Sequence, residues 1–335
     1  MTPPINTPIL REVSDEAPGV GVRADGPALA GPAALPQPGR QGETLPRVGG
    51  GAHVMPLDLQ FNELEVCFDD HERVFWKWMK SQTRPSYTMG MLSDIRRAMN
   101  VIKGLFRDYD GRGEQPVNYV VFASRMPGSF NLGGDLPLFV DLIRAGDAEG
   151  LRAYAHACIE LQYWRATKMG LPYLSISLVQ GDALGGGFEA TLADDVIIAE
   201  RRAKFGLPEI MFNLFPGMGA YSFLSRRLDQ ARAERMILSG RIYSAEEMYE
   251  MGLVDELVED GTGEDALYDF IEQNRRSFKT RLAVYDARRR TQPVSREELI
   301  AITDTWVDTA INLDRADLRR MERLANAQDR RSRTR

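Results

Sequence analysis

The chain has 335 residues, with 42 Lys and Arg against 48 Asp and Glu, a formal net charge of −6, two Cys and three His. The acidic balance argues against nucleic-acid binding as the main function, and so few Cys and His predict neither a disulfide framework nor a metal-ligand cluster. No apolar run reaches the roughly 18–20 residues of a membrane span, and the N-terminus lacks the basic and apolar regions of a secretory signal. We therefore expect a reduced, cytoplasmic protein.

The first 56 residues differ in composition from the rest. They hold 10 of the 18 prolines and 9 of the 30 glycines, and such a segment buries too little apolar surface to offset its loss of conformational entropy. The composition predicts a disordered tail over 1–56, with a docking arm for a partner as the alternative. A single catalytic domain is predicted over 57–335, which is long enough to bury a substantial core.

Strands and helices alternate through the first part of this domain. Helices are predicted with capping residues at their N-termini: Ser93–Tyr109 capped by Ser93, Leu136–Ala145, and Ala148–Met169 capped by Asp147. Apolar or alternating runs predict strands: Leu59–Phe68, Arg73–Met79, Val117–Ala123, Leu174–Val179 and Val196–Ala199. This order is typical of an α/β domain with mostly parallel pairing.

From about residue 229 the pattern becomes mainly helical. Ser244 with Glu247 forms a capping box, and the stretch Ile300–Ala325 is amphipathic. That amphipathic face packs either in the core of the chain or on a neighbouring subunit. The arginines at the C-terminus are expected to be a solvated end.

One glycine-rich turn is the main candidate for chemistry. The segment Gln180–Glu189 (QGDALGGGFE) follows a predicted buried strand and opens a helix over Phe188–Ala193, so its free N–H groups favour negative charge. A phosphate-binding P-loop is excluded because no Lys follows the glycines. A dinucleotide fingerprint remains an alternative, because Gly185, Gly187 and Ala190 match GxGxxA and Glu200 ends the next strand. The third interpretation is an oxyanion hole for a thioester carbonyl.

A second glycine turn favours the oxyanion hole. The segment Phe130–Leu136 (FNLGGDL) also lies between a predicted strand and a helix. Tight turns alone account for most glycine pairs, but two such turns after adjacent parallel strands can converge on one oxygen.

Two glutamates are the candidate acid and base. Glu189 lies just inside the helix that the glycines open, and Glu209 lies in FGLPE, both within apolar sequence. Carboxyl groups in such surroundings have raised and separated pKa values, which suits general acid and base catalysis. Other polar residues are weaker candidates: Asp135 and Asp182 are predicted turn or cap residues, His156 is mid-helix, and neither Cys lies near the glycine turns, which argues against a thiol nucleophile.

The order of these motifs resembles the crotonase (enoyl-CoA hydratase/isomerase) superfamily. The motifs are FNLGGDL, QGDALGGGFEA, FGLPE, FPGMGA and LSGRIYSAEEMYEMGLVDELV. Within that superfamily, FNLGGDLPLF, LVQGDALGGGFEA, LPEIMFNLFPGMGAYSF and ITDTWVDTA are similar to the RpfF-type diffusible-signal-factor synthases, which make cis-2-unsaturated fatty-acid quorum signals.

The resemblance implies a fold, a site and a reaction. It implies a spiral of ββα units with a C-terminal helical region, assembled as a homotrimer or a dimer of trimers. Gly134 and Gly186 would supply the oxyanion N–H groups, with neighbouring Gly133 also possible, and Glu189 and Glu209 would be the catalytic carboxylates. The acyl pocket would be lined by three apolar residues: Leu184, Met218 and Trp306.

The substrate implied is a 3-hydroxyacyl thioester on acyl carrier protein, which is dehydrated and then hydrolysed without a metal or redox cofactor. A sensor histidine kinase is a further implied partner. Two alternatives remain: an enoyl-CoA hydratase that acts on CoA thioesters, and a non-catalytic crotonase-fold protein that binds a partner. A pure binding protein has no need of both Glu189 and Glu209, which argues against the last.

Overall fold

The computed structural model describes residues 54–56 and 60–333, and the side chains of residues 60–327. Residues 1–53 of the predicted tail therefore lie outside the described part. Val54–Pro56, also within the segment predicted as a tail, form a short strand that pairs with Cys67–Asp69.

The strands in chain order are β1 (Val54–Pro56), β2 (Leu64–Asp69), β3 (Val74–Met79), β4 (Tyr119–Ser124), β5 (Ser129–Asn131), β6 (Leu174–Val179), β7 (Asp182–Leu184), β8 (Val196–Glu200), β9 (Lys204–Gly206), β10 (Ile242–Ser244) and β11 (Glu256–Val258). The helices are α1 (Met89–Leu105), α2 (Leu136–Ala145), α3 (Ala148–Thr167), α4 (Gly186–Leu192), α5 (Ala220–Arg227), α6 (Gln230–Ser239), α7 (Ala245–Glu250), α8 (Gly263–Asn274), α9 (Phe278–Thr291), α10 (Arg296–Ala310) and α11 (Arg315–Arg333). Short 3₁₀ segments include Pro208–Phe212.

The described strands form two mixed sheets. The larger has the order β1-β2-β3-β4-β6-β8-β11 and is parallel from β3 onward, and the smaller has the order β10-β9-β7-β5. Three consecutive units each place one strand in the large sheet, then a short strand in the small sheet, and then a helix: β4-β5-α2, β6-β7-α4 and β8-β9-α5. This repetition is the predicted spiral of ββα units, so the α/β fold class is confirmed.

The longer elements agree with the sequence analysis because their patterns are local. Helix α2 and strand β6 have the predicted bounds, Asp147 caps α3 by accepting from the N–H of Gly150, and Ser244 and Glu247 form the capping box of α7. The N-terminus of α1 was predicted wrongly. It begins four residues earlier than Ser93, at Met89, because the Thr88 hydroxyl caps it by accepting from the Met91 N–H at 3.0 Å.

The short strands were not predicted from the sequence. Strands β5, β7, β9, β10 and β11 have three residues each, too few for a period to show. Asp182 is consequently not a turn or cap residue but the first residue of β7. Strands β10 and β11 also interrupt the region that was predicted as helical from about residue 229.

The C-terminal helices are packed within the chain. The amphipathic stretch divides at residues 311–314 into α10, which packs on α3, and α11, which packs on α2 and on Pro208–Phe212. Trp306, Met321 and Ala325 are buried in the main core. The apolar face therefore covers the part of the fold where the glycine turns meet.

Candidate active site

The two glycine turns are in direct contact. Gly133 has φ +98°, and a Cβ atom there would lie 2.9 Å from the backbone nitrogen of Gly186. A Cβ on Gly186 would in turn lie 3.3 Å from the Cα of Gly133. Only glycine allows this approach, so the ends of β5 and β7 deliver both turns to one point.

Backbone hydrogen bonds identify which amides are available. The Gly133 N–H donates to Asn131 Oδ1 at 2.8 Å, and the Asp135 N–H donates to the Tyr154 hydroxyl at 3.1 Å. On the other turn the Gly185 N–H donates to the Gly206 carbonyl at 2.8 Å. Within the described residues the N–H groups of Gly134 and Gly186 have no hydrogen-bond acceptor. They match the two predicted oxyanion positions, and Gly133 is the one whose amide is occupied.

Glu189 is held in one orientation by the backbone that leads into α5. It lies in α4 and is 1% exposed, and its Oε1 accepts from the N–H groups of Met218 at 2.7 Å and Ala220 at 2.9 Å. Burial raises the pKa of Glu189 to about 7, while these two backbone hydrogen bonds act in the opposite direction. Glu189 therefore ionises near neutral pH.

Glu209 lies on the 3₁₀ segment next to this helix. Its Oε2 is buried and accepts no hydrogen bond from the described residues, and a Cβ on Gly185 would lie 2.5 Å from its Oε1. Burial raises the pKa of Glu209 well above its usual range, and the charge of Glu189 raises it further. A proton shared by the pair thus resides on Glu209, because Glu189 has two amide donors that stabilise its ionised form. One base and one acid are available at the same pH.

Both carboxyl groups line an apolar cavity of about 370 Å³. All seven residues predicted from the sequence line it: Gly134, Leu184, Gly186, Glu189, Glu209, Met218 and Trp306. Along the described chain no Lys, Arg or His lines this cavity. No cation therefore offsets the loss of hydration on burial, which is the main cause of the raised pKa values of both carboxyl groups.

One side of the cavity is aromatic, which was not predicted from the sequence. Phe139 stacks edge-on against Tyr154 and Trp306, with ring centroids 5.1 and 5.2 Å apart, and all three line the cavity. The Tyr154 hydroxyl donates to the Tyr87 carbonyl at 2.6 Å. Tyr154 and Cys158 are four residues apart and therefore lie on one face of α3. This spacing is a sequence signal that could have placed both side chains in the same site.

Cys158 corrects one prediction. It lines the same cavity as the glycine turns, although the sequence placed neither Cys near them. Burial raises the pKa of its thiol to about 12, so it stays protonated at neutral pH and is a poor nucleophile. The predicted location of Cys158 was wrong because its distance from the glycine turns depends on how α3 packs over them.

The remaining candidates lie outside the cavity. Asp135 caps α2 and binds Arg84 at 2.8 Å, and His156 binds Asp304 at 2.8 Å between α3 and α10. Glu200, which the dinucleotide alternative requires, is buried and pairs with Arg202 at 2.6 Å, so it is not available to a ribose at the glycine turn. Among the described residues no cluster of His, Cys, Asp or Glu could hold a metal ion, and no helix is long and apolar enough to cross a bilayer.

Comparison with known proteins identifies relatives of several kinds. Human mitochondrial methylglutaconyl-CoA hydratase is 28% identical over 252 residues, which cover 74% of this chain and 70% of the relative. The mevalonyl-CoA hydratase SIDH of Beauveria bassiana is 44% identical over 86 residues, which cover 26% of this chain and only 31% of the relative's length.

Solved structures show the same fold at lower identity. An enoyl-CoA hydratase from Bacillus halodurans superposes with a TM-score of 0.63 at 19% identity, covering 78% of this chain and 100% of that one. Pseudomonas aeruginosa DspI superposes with a TM-score of 0.52 at 21% identity, covering 82% and 98%. The sequence profile of the enoyl-CoA hydratase/isomerase family matches residues 109–297, more than half of the chain. The chain therefore belongs to the enoyl-CoA hydratase/isomerase family, the crotonase superfamily.

Proposed function

We propose that the chain catalyses the removal or addition of water at C2 and C3 of an acyl thioester. One observation carries this proposal: Glu189 and Glu209, both with raised pKa values, share an apolar cavity with the free amides of Gly134 and Gly186. The reaction needs one group that accepts a proton, one that donates a proton, and donors for the charge that develops on the carbonyl oxygen. The cavity has each of these.

The dehydration of a 3-hydroxyacyl thioester would proceed through an enolate. The thioester oxygen would lie between the amides of Gly134 and Gly186, and each such donor typically contributes about 2.7–4 kcal/mol to the transition state. One carboxylate takes the proton from C2, and the other carboxyl group protonates the hydroxyl that leaves C3 as water. The pair ends with the same number of protons, so the reaction is balanced.

The finer proposal is that the chain makes a cis-2-unsaturated fatty-acid quorum signal from an acyl-carrier-protein thioester. It is supported by the motif resemblance and by the lining of the cavity, where Leu184, Met218 and Trp306 suit an alkyl chain. After dehydration, a carboxylate would activate water against the thioester carbonyl, with the tetrahedral oxyanion held by the same two amides. The products are the free unsaturated acid and the thiol of the carrier.

A second candidate is a hydratase that acts on CoA thioesters. It is favoured by relatives that are CoA-thioester hydratases, among them human methylglutaconyl-CoA hydratase and the fungal mevalonyl-CoA hydratase. The two candidates share the proton chemistry at Glu189 and Glu209 and differ in the carrier and in thioester hydrolysis. A comparison of carriers and products therefore separates them.

The test incubates the purified chain with a 3-hydroxyacyl carrier protein and with the matching CoA ester, and identifies products by mass spectrometry. A free 2-unsaturated acid from the carrier protein supports the synthase, whereas interconversion of CoA thioesters without free acid supports the hydratase. Glu189→Gln and Glu209→Gln should each lower either activity by about 10²–10⁴-fold. His156→Gln is the control, because His156 lies outside the cavity. Full activity in either glutamate variant, or no turnover of both thioesters, contradicts the proposal.

A further inference from the structure

A second cavity lies at the opposite end of α4. It has a volume of about 180 Å³ and lies where the last residues of α4, α5 and α9 meet the segment 292–294. None of its lining residues lines the apolar cavity that contains Glu189 and Glu209, hereafter the acyl cavity. Four arginines line it: Arg226, Arg227, Arg288 and Arg289.

Two of the carboxylates around this cavity are already neutralised. Asp194 forms a two-pronged ion pair with Arg165, with distances of 2.7 and 2.5 Å. Glu298 forms a similar pair with Arg226, with distances of 2.8 and 2.7 Å. These pairs add no net charge to the cavity.

Asp195 faces more cations than it can balance. Its carboxylate contacts Lys168 at 3.1 Å, Arg288 at 3.3 Å and Arg289 at 2.7 Å. One negative charge is thus shared by three positive charges. Asp195 is 3% exposed, whereas the side chains of Arg288 and Arg289 are 40% and 24% exposed, so both guanidinium groups are accessible to a dissolved anion.

Arg227 adds a further cation to the same place. Its guanidinium donates to the carbonyls of Leu192 and Asp194, and no carboxylate of the described residues lies within 4 Å of it. Burial lowers the pKa of Arg227, and the charge of Arg288 lowers it further. Of the outlying carboxylates, Asp286 is bound to Arg290 at 2.7 Å and lies 4.0 Å from Arg289, and the charge of Asp255 reaches Arg227 only from a greater distance.

We propose that this arginine-lined cavity binds a phosphate group, either free or as a phosphate monoester. Planar guanidinium groups match the geometry of a phosphate and bind it through pairs of charge-assisted hydrogen bonds. The excess of positive charge is local, because the whole chain carries a net charge of −6. The volume exceeds that of one phosphate and leaves room for part of an ester.

The site is separate from the proposed reaction. Helices α4 and α5 both begin beside Glu189, where Gly186 and Ala220 lie, and both end at the arginine-lined cavity. A ligand in one cavity therefore does not compete for space with a ligand in the other. Phosphate binding and thioester chemistry can therefore be tested independently of each other.

The test is isothermal titration calorimetry of the full chain with inorganic phosphate and with glycerol phosphate at constant ionic strength. We expect saturable binding of one equivalent of either probe, weakened at least tenfold by Arg288→Gln and by Arg289→Gln. The matched control is Lys279→Gln on the same helix, whose side chain is exposed and does not line the cavity. If only the monoester binds, the ligand of the site is an esterified phosphate. If both probes bind, the site takes free phosphate as well.

Thermal melting of the unaltered chain gives a measurement that does not depend on any variant. Phosphate should raise the melting temperature more than sodium chloride of equal ionic strength, because a ligand that binds only the folded state stabilises it. The proposal is wrong if neither probe binds or stabilises more than chloride does. It is also wrong if Lys279→Gln weakens binding as much as the two cavity variants, which would show a diffuse electrostatic effect.

Discussion

The two ends of α4 bury carboxyl groups in opposite ways. At its N-terminus, Glu189 and Glu209 lie in an apolar cavity, and along the described chain no cation lines that cavity. Just beyond its C-terminus, Asp194 and Asp195 are as deeply buried as Glu189 but contact Arg165, Lys168 and Arg289. Burial raises the pKa values of both glutamates, whereas each aspartate has at least one positive charge within hydrogen-bond distance.

Burial alone therefore does not make a catalytic acid. A buried carboxylate with a cation partner stays ionised and holds the structure together, and one without a cation stays close to its protonated form and can exchange a proton. The difference between the two ends of one short helix should be visible when the same chemical change, acid to amide, is made at each.

The largest expected effect is on stability at pH 8. Asp194→Asn should lower the free energy of unfolding by about 3–5 kcal/mol, because it leaves the buried Arg165 guanidinium without its counter-charge. Glu189→Gln should raise the free energy of unfolding by on the order of 1–3 kcal/mol, because the folded chain no longer holds a buried carboxylate whose pKa is about 7. Urea denaturation of both variants measures these changes.

The size of the stabilisation expected from Glu189→Gln depends on pH. Since folding raises the pKa of Glu189, the folded state binds more protons than the unfolded state, and stability falls as pH rises from the ordinary value of 4.5 to about 7. The gain from Glu189→Gln should therefore be full above pH 7 and shrink toward pH 5. Changes of the same sign in both variants would refute the contrast between the two ends.

The second prediction concerns the contact between the glycine turns. Gly133→Ala should lower kcat by about 10²–10³-fold, the usual cost of removing one oxyanion donor, because the new Cβ would lie 2.9 Å from the Gly186 nitrogen and φ is +98°. Gly146→Ala is the control for backbone strain, because Gly146 has φ +68° but a Cβ there meets nothing within 4 Å. Equal losses of activity in both variants would show that strain, and not the oxyanion site, is responsible.

The sequence predicted the parts of this site that a short segment encodes. Glu189 follows its glycines within one strand–turn–helix unit, and Leu136–Ala145 has its own start and stop signals, so local pattern sufficed. Cys158 and Phe139 were missed because their approach to the turns depends on how α2 and α3 pack, and no local pattern encodes that. Trp306 was assigned to the acyl pocket only through the family resemblance, since 88 residues separate it from Met218, the nearest cavity-lining residue of the FPGMGA motif.

The arginine-lined cavity could not be predicted from the sequence either, because it also depends on how separate elements pack together. Its charged groups come from α3, the turn after α4, the end of α5 and the end of α9. Each of these looks like an ordinary charged helix end when it is considered alone. Only their assembly shows three cations on one aspartate.

The third prediction concerns the pH dependence of kcat/KM for thioester dehydration or hydration. Activity should fall about tenfold per pH unit below about 7, because burial raises the pKa of Glu189 to about 7 and its protonation removes the base. A profile with the same inflection for His156→Gln is the control, since that side chain lies outside the cavity. An inflection near 4.5 would mean that the apolar end of α4 does not perturb its carboxylate.

The smallest expected effect is on acyl-chain preference. Trp306→Phe keeps an aromatic ring against Phe139, whose centroid lies 5.2 Å from that of Trp306, but removes volume from the wall of the acyl cavity. We expect the ratio of kcat/KM for a substrate two carbons longer to rise by roughly tenfold, since one or two methylenes in an apolar pocket contribute about 1–3 kcal/mol. Phosphate binding at the other end of α4 should not change in this variant, because Trp306 does not line the arginine-lined cavity. An unchanged chain-length ratio would place the end of the acyl chain elsewhere, and a parallel loss of phosphate binding would show that the two cavities are not independent.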